Sequence, residues 1–445
     1  MKPLTSLFFF IFIALTAGAQ SVTQKADALL KAYADQHRFY GAVLIAKGDA
    51  VLLNKGYGYS NVGDKKQNNE ASIYQIGSVT KQFTAAIILL LEEEGKLSVQ
   101  DKISKYFPQI PNGDKITIHH LLTHTSGIFN YTNNAQFMQT SAVKPISKDY
   151  MIALFKDKPL EFDPGTRYNY SNSGYMLLGY IIEQVTGKKY EQVVRERIFT
   201  PLKMYNSGFD FAGLKNSKKT TGYFSVSDVS SVPAPVVDST VSFAAGAIYT
   251  TTVDLLKWER ALAQGKLLKK ESWQKALTPV LNNYGYGLAI DSIFGQKRIH
   301  HGGGIFGYTS NAIFLPEQDY TILLFSNASS SLTKLSNDLT AILYNKPYTI
   351  PEENKEVKLT DAVLQQYIGE YQLAPTFSII ITLKDNYLYG QATGQPTFQM
   401  FAKTEKRFFL KAVPAEVEFF KDEQGKVTKM ILFQNGQEMN GQKIK

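Results

Sequence analysis

Cysteine is absent from all 445 residues. Its absence excludes disulfides, thiolate metal sites, a cysteine nucleophile and a lipid-anchored cysteine at a leader cleavage point. Long apolar runs are scarce too. The opening MKPLTSLFFFIFIALTAGAQ carries a basic Lys2, an apolar stretch from Leu7 to Leu15 and the small residues Ala17-Gly18-Ala19, the pattern of a cleavable export signal over residues 1–19. No later segment reaches the roughly 18 uninterrupted apolar residues of a membrane span, so the expected mature protein is soluble and periplasmic or secreted. No internal repeat or block of like charge stands out. Without residues 1–19, whose only charge is Lys2, the formal charge falls from +9 to +8, spread over scattered lysines. Such scatter argues against nucleic acid as a partner, while a basic exterior suits association with an anionic cell wall.

The material for a core is ample: 44% of residues are hydrophobic and 20% charged, ordinary globular values. A chain of this length exceeds what one core usually holds, so one large and one smaller domain are expected. GAVLIAKGDAVLLNKGYGYSN (Gly41 to Asn61) alternates around Gly48-Asp49 and predicts a hairpin. Helical periodicity follows in the stretches from Asp114 to Gly127, Ser147 to Lys158 and Tyr175 to Phe199. From about Tyr284 short apolar runs broken by Gly, Asn and Asp predict an antiparallel meander. A hairpin early, strands late and helices between imply an α+β sheet whose first and last strands meet, with helices packed on it. Two prolines and a charge run mark a boundary from Asn345 to Asp361. Beyond it, alternating strands with turns at Asp385-Asn386, Glu405-Lys406, Gln424-Gly425 and Asn435-Gly436 suit a small all-β barrel or sandwich. The expected division is a signal peptide over 1–19, a main domain over 20–346, a linker over 347–360 and a β-rich domain over 361–445. The tail's aromatics Tyr371, Tyr387, Tyr389, Phe408, Phe409, Phe419 and Phe420 are expected to fill that small domain rather than line a ligand cup.

The chemistry begins at QIGSVTKQFTAAIILLLEEEGKLS (Gln75 to Ser98). Its apolar middle predicts a buried helix, yet the first turn holds Ser78 and Lys81. Burying a lone ammonium costs several kcal/mol or drives off its proton, so Lys81 needs a purpose. Serine and lysine at i, i+3 share a helix face, and the amino-terminal dipole favours negative charge on the serine oxygen. Ser78 is thus a candidate nucleophile and a desolvated Lys81 its proton acceptor. Ser-x-x-Lys recurs at Ser141, Ser272 and Ser331; the preceding glycine and the long apolar helix after it set Ser78 apart. Further on, Tyr170-Ser171-Asn172 gives a phenol and an amide two residues apart. Tyr59 and Tyr131 also open Tyr-x-Asn triplets, but only Tyr170 stands between a Pro164-Gly165 turn and a helix.

With these motifs the sequence resembles the serine β-lactamase and penicillin-binding protein superfamily, in its class C-like branch. That family runs Ser-x-x-Lys, then Tyr-x-Asn, then Lys-Thr-Gly or His-x-Gly on a strand. Here the third is His301-Gly302-Gly303. The resemblance spans roughly residues 22–345, including LLTHTSGI and FAAGAIYTTTVDLLKW, and the tail looks like the β-rich domain often appended to such enzymes. It implies a β-lactamase/transpeptidase-like fold and an exported serine hydrolase acting through an acyl-enzyme on a β-lactam, a D-amino-acid peptide or amide, or an ester. Residue by residue, it implies Ser78 as nucleophile, Lys81 and Tyr170 sharing proton traffic, and Asn172 holding a substrate amide or Lys81. It also implies His301 tuning Tyr170 electrostatically, and an oxyanion hole from the backbone N–H groups of Ser78 and Gly304 beside Gly303. A phenol flanked by a cation would lie nearer its phenolate, so either Tyr170 or Lys81 can serve as base. His301 and Gly302 replace a permanent charge and a hydroxyl, favouring an esterase or peptidase over a β-lactamase. The alternative is a penicillin-recognising sensor that is acylated once without turnover.

No cofactor or metal is expected. His120 and His124 at i, i+4, next to His119, have a spacing that could ligate zinc, but no Glu follows in a His-Glu-x-x-His pattern, so packing histidines are expected instead. Of His300 and His301, only one can face the site, since neighbours on a strand point oppositely.

Overall fold

The computed structural model describes residues 21–226, 230–352, 354–395, 397–411, 413, 415–434 and 437–445. The export signal expected over 1–19 and the Asn435-Gly436 turn lie outside the described residues. Among the described residues, no helix is long and apolar enough to cross a membrane.

Six antiparallel strands form the main sheet: β1 (Gly41–Lys47), β2 (Ala50–Tyr57), β3 (Ala289–Ile293), β4 (Gln296–Ile305), β5 (Tyr308–Leu315) and β6 (Tyr320–Ser326). Their order across the sheet is β2-β1-β6-β5-β4-β3. The early hairpin and the late meander therefore join where β1 pairs with β6, from Gly41 opposite Ser326 to Lys47 opposite Tyr320. Alternation along β1 feeds two cores, as the two-residue period of a strand requires. Val43 and Ile45 face a layer made by the helix over 21–35 and the helix Thr333–Leu343, through Leu29, Leu30, Leu335 and Leu339. Ala42, Leu44 and Ala46 face the larger layer of helices from the middle of the chain. At its centre lies α1 (Thr80–Glu93), in which every residue from Thr80 to Leu89 is buried. Phe83 stacks on Trp258 with ring centroids 4.1 Å apart, and the Trp258 indole N–H donates to Gln82 Oε1 at 2.9 Å. The result is the α+β architecture expected of the sequence, three layers deep.

Downstream, a closed barrel of eight antiparallel strands runs from Gly369 to Lys443. Its lumen is filled by Tyr371, Ile381, Leu388, Met400, Phe408, Phe419 and Met430, closed at one end by Tyr367, which stacks on Phe419. The tail aromatics divide by strand alternation. Tyr371, Phe408 and Phe419 are core, Tyr387, Tyr389 and Phe420 are only half-buried, and Phe409, on the opposite face from Phe408, is buried outside the lumen against Phe401.

Candidate active site

Ser78 sits in a 3-10 turn, Gly77–Val79, that runs straight into α1. The turn is pinned by pairing of Tyr74–Gln75 with Tyr249–Thr250 and by Ile76 N–H donating to Ile248 O at 3.0 Å. Two glycines let β4 approach it. Gly77 has φ +51°, and a Cβ there would lie 2.9 Å from the Gly304 nitrogen; a Cβ on Gly303 would lie 2.0 Å from Ile76 O. Any larger residue at either place would push β4 away from the serine. Ser78, at the start of a helix, and Gly304, on β4, line one cavity.

Lys81 is the second residue of α1, one turn on from Ser78, and fully buried. Its Nζ is 3.0 Å from Ser78 Oγ, 2.8 Å from Asn172 Oδ1 and 2.8 Å from Ala245 O. Burial, with no ion pair opposing it among the described residues, pushes the Lys81 amine well below its ordinary pKa. Two of its three neighbours can only accept. A neutral amine can donate to both and turn its lone pair to the Ser78 hydroxyl; an ammonium donates to all three. The same cage thus satisfies both protonation states. One acceptor is supplied by strain: α3 (Ser239–Gly246) is kinked at Phe243, φ +36° and ψ −131°, and the two following carbonyls turn to α1, Ala244 O to the Thr84 hydroxyl and Ala245 O to Lys81.

Tyr170 is the last extended residue but one before α2 (Asn172–Thr186). Lys81 Nζ stands 4.8 Å from its ring centroid. The hydroxyl is buried and makes no hydrogen bond of normal geometry. Burial pushes the phenol pKa up, opposed only in part by the neighbouring Ser78 hydroxyl. The phenolate expected from a flanking cation is therefore not favoured: the same desolvation that keeps Tyr170 protonated drives Lys81 to its neutral form. Asn172, the first residue of α2, is spent on the protein, with Oδ1 on Lys81, Nδ2 donating to Thr132 Oγ1 at 3.2 Å and N–H to Asn130 Oδ1 at 3.0 Å.

His301 on β4 is buried, and its ring centroid is 6.3 Å from that of Tyr170. Its Nδ1 is 2.6 Å from Gly302 O, an obligate acceptor, so Nδ1 carries the proton and Nε2 accepts from the Tyr284 hydroxyl at 2.8 Å. Burial, reinforced by Lys81, pushes His301 down to about 3. Burial and these two hydrogen bonds favour a neutral His301 ring beside Tyr170. His300 faces the other way, Nε2 3.3 Å from Asp291.

The three clustered histidines are engaged separately. His119 meets the Tyr286 hydroxyl at 2.7 Å, and His120 closes a capping box with Thr117. His124 does more than pack. With φ +57°, it accepts Asn169 N–H on its carbonyl (2.9 Å) and Ser171 N–H on Nδ1 (3.1 Å), gripping the residues on either side of Tyr170, while its ring lies 4.1 Å from the Tyr170 ring. Sequence reading missed this clamp, and missed Tyr284; the only signal was the THTSG turn itself. It also passed over Tyr131, which lines the Ser78 cavity and donates to Val241 O at 2.6 Å. The other Ser-x-x-Lys copies lie elsewhere. Lys275 and Lys334 pair with Glu92 and Asp338, and Ser141 caps a surface helix.

Residues 26–344 match the family described as Beta-lactamase, and residues 353–443 a domain of unknown function, DUF3471. Penicillin-binding protein 4* of Bacillus subtilis (strain 168) is 29% identical over 445 aligned residues, covering 94% of this chain and 98% of the relative. Among solved structures, the octameric penicillin-binding protein homologue from Pyrococcus abyssi superposes with a TM-score of 0.65 at 27% identity, over 92% of this chain and 97% of that one. A D-stereospecific amidohydrolase from Streptomyces sp. gives 0.60 at 27% identity, over 69% of this chain and 94% of that one.

Proposed function

This chain belongs to the beta-lactamase family, and from that premise we propose that it is a serine hydrolase working through an acyl-enzyme on Ser78, with catalysis assigned to residues 20–346. The observation that carries the reading is the cage around Lys81. Neutral Lys81 takes the Ser78 proton as Oγ attacks the substrate carbonyl, and the two acceptors that hold its nitrogen need not move. The backbone N–H groups of Ser78 and Gly304 receive the oxyanion. The proton returns to the leaving group, relayed by the Tyr170 hydroxyl, and water releases the acyl group by the reverse path. Asn172 orients Lys81, and His124, Tyr284 and His301 hold the Tyr170 ring in place.

The test is covalent: a neutral fluorophosphonate should add one equivalent, located on the Ser78 peptide by mass spectrometry, and p-nitrophenyl acetate should turn over many times. A burst of one equivalent that then stops would favour the acylated sensor instead.

Removing only the relay, Tyr170→Phe should lower kcat about 100-fold and leave Tm nearly unchanged, because the lost hydroxyl makes no hydrogen bond of normal geometry. Undiminished turnover would leave the whole proton path to Lys81. A second expectation concerns pH. Lys81 must be neutral to accept, so kcat/KM should rise with pH through its lowered pKa and then level off. His301, at about 3, is neutral throughout and adds no falling limb. A decline in kcat/KM between about pH 5.5 and 7.5, the ordinary imidazole range, would show that an imidazolium is required after all.

A further inference from the structure

The cavity beside Ser78 measures about 340 Å³. Tyr170 and His301 are not among its walls, so it extends from the oxyanion position away from the proton relay. The leaving group departs on the relay's side, which leaves the cavity for the acyl group. Its walls are apolar: Met138, Phe224, Val237, Val241, Ile305 and Phe306, drawn from four separate parts of the chain. No described residue lining it carries a charged side chain. Most of the polar side chains present are engaged with the protein, the Tyr131 hydroxyl on Val241 O, the Ser242 hydroxyl on Asp238 O and Asn172 on Lys81 and Thr132, while the exposed Ser329 adds a hydroxyl to the rim. At the mouth, Phe224 is 44% exposed, its ring centroid 5.6 Å from that of Phe306. An exposed ring backed by a half-buried one at the rim of a largely apolar cavity is a surface that gains by being covered.

We propose that the acyl group this site takes is uncharged and apolar, a chain or ring of about six to eight carbons, presented as an ester. The proposal rests on the acyl-enzyme reading above. A substrate carboxylate would need a cation and a free ammonium an anion, and these walls offer neither; burying either charge unpaired is strongly disfavoured. For a peptide or amide substrate the Asn172 side chain has one Nδ2 hydrogen left over after Lys81 and Thr132 are satisfied, a thin provision beside the apolar area of the walls. Measured against a water molecule's share of liquid volume, about 30 Å³, the cavity has room for roughly ten non-hydrogen atoms. In the step itself, Ser78 Oγ bonds to the acyl carbon and the ester C–O bond breaks, the serine proton leaving with the alcohol. Water then supplies the hydroxyl of the released acid and returns a proton to Ser78.

The experiment compares kcat/KM for p-nitrophenyl acetate, butanoate, hexanoate and octanoate. It sets beside them mono-p-nitrophenyl glutarate, which adds a carboxylate, and the p-nitrophenyl ester of D-alanine, which adds an ammonium. Ser78 labelling by a neutral fluorophosphonate is scored in parallel. We expect a rise of about tenfold for each two methylenes up to hexanoate, and at least a tenfold deficit for each charged ester against a neutral one of equal length. Phe224→Lys, at an exposed position, should flatten the chain-length series and raise the glutarate ester. With Ser78 labelled, a flat or falling series, or preference for either charged ester, overturns the proposal and leaves the serine hydrolase reading standing. If Ser78 takes no label, that reading falls and the proposal with it.

Discussion

Ser78→Ala is expected to abolish covalent labelling and to lower turnover at least about 10⁴-fold, the scale on which removing a nucleophile from a coupled catalytic set acts. The fold should be untouched. Ser78 Oγ makes one hydrogen bond, to Lys81, and a serine only half-buried in a turn contributes within about 1 kcal/mol of stability. Circular dichroism and a melting curve separate the two outcomes from each other. Alanine at Ser141, Ser272 or Ser331 should leave turnover unchanged, since none of their lysines meets a second motif. Residual turnover in Ser78→Ala, above that of buffer, would move the nucleophile elsewhere.

Lys81→Met should lower activity about 10³-fold or more while making the protein more stable. Activity falls because the proton acceptor is gone. Stability rises because a buried amine, with no ion pair among the described residues, is replaced by an apolar chain of similar length that carries no desolvation penalty. The sign follows from proton counting. A lysine whose pKa is lowered on folding binds fewer protons folded than unfolded, so wild-type stability climbs with pH from the folded pKa towards the unfolded value and is lower at acid pH. The Met variant lacks that slope. Chemical denaturation at several pH values measures it directly. A Met variant less stable than wild type at neutral pH would mean that the hydrogen bonds to Asn172 and Ala245 outweigh the cost of burying the amine.

Much of this site could be read from the sequence because its key residues come from local pattern. Ser78 and Lys81 are one helical turn apart, and an apolar run announces that the helix is buried. Tyr170 is marked by the turn before it and the helix after it, and His301 by the glycines that let β4 lie close to Gly77. What could not be read depends on contacts between distant parts of the chain. Ala245 O reaches Lys81 from 164 residues away, and nothing in FAAGAIY says that Phe243 is kinked to aim it. His124 clamps Tyr170 through its backbone as much as its ring, and backbone contacts leave little trace in residue type. Charge states were missed for the same reason. An imidazole and a phenol look titratable in a sequence; only the depth of burial favours the neutral form of both His301 and Tyr170. The fold was easier, since strand alternation and the placing of hairpin and meander constrain a sheet more tightly than a site.

The pairing of β1 with β6 also sets a clock. Gly41 has no partner on its β6 side until Ser326 exists, and at roughly 5–20 residues per second synthesis takes about 15–60 s to cover that distance. Throughout that interval Val43 and Ile45 lack both the strand and the helix Thr333–Leu343 that cover them, leaving an apolar, unpaired edge on the nascent chain. The contact is among the most non-local a chain of this size can form, which makes folding slow as well as late. Until β6 arrives, that edge is open to pairing with any other strand that meets it.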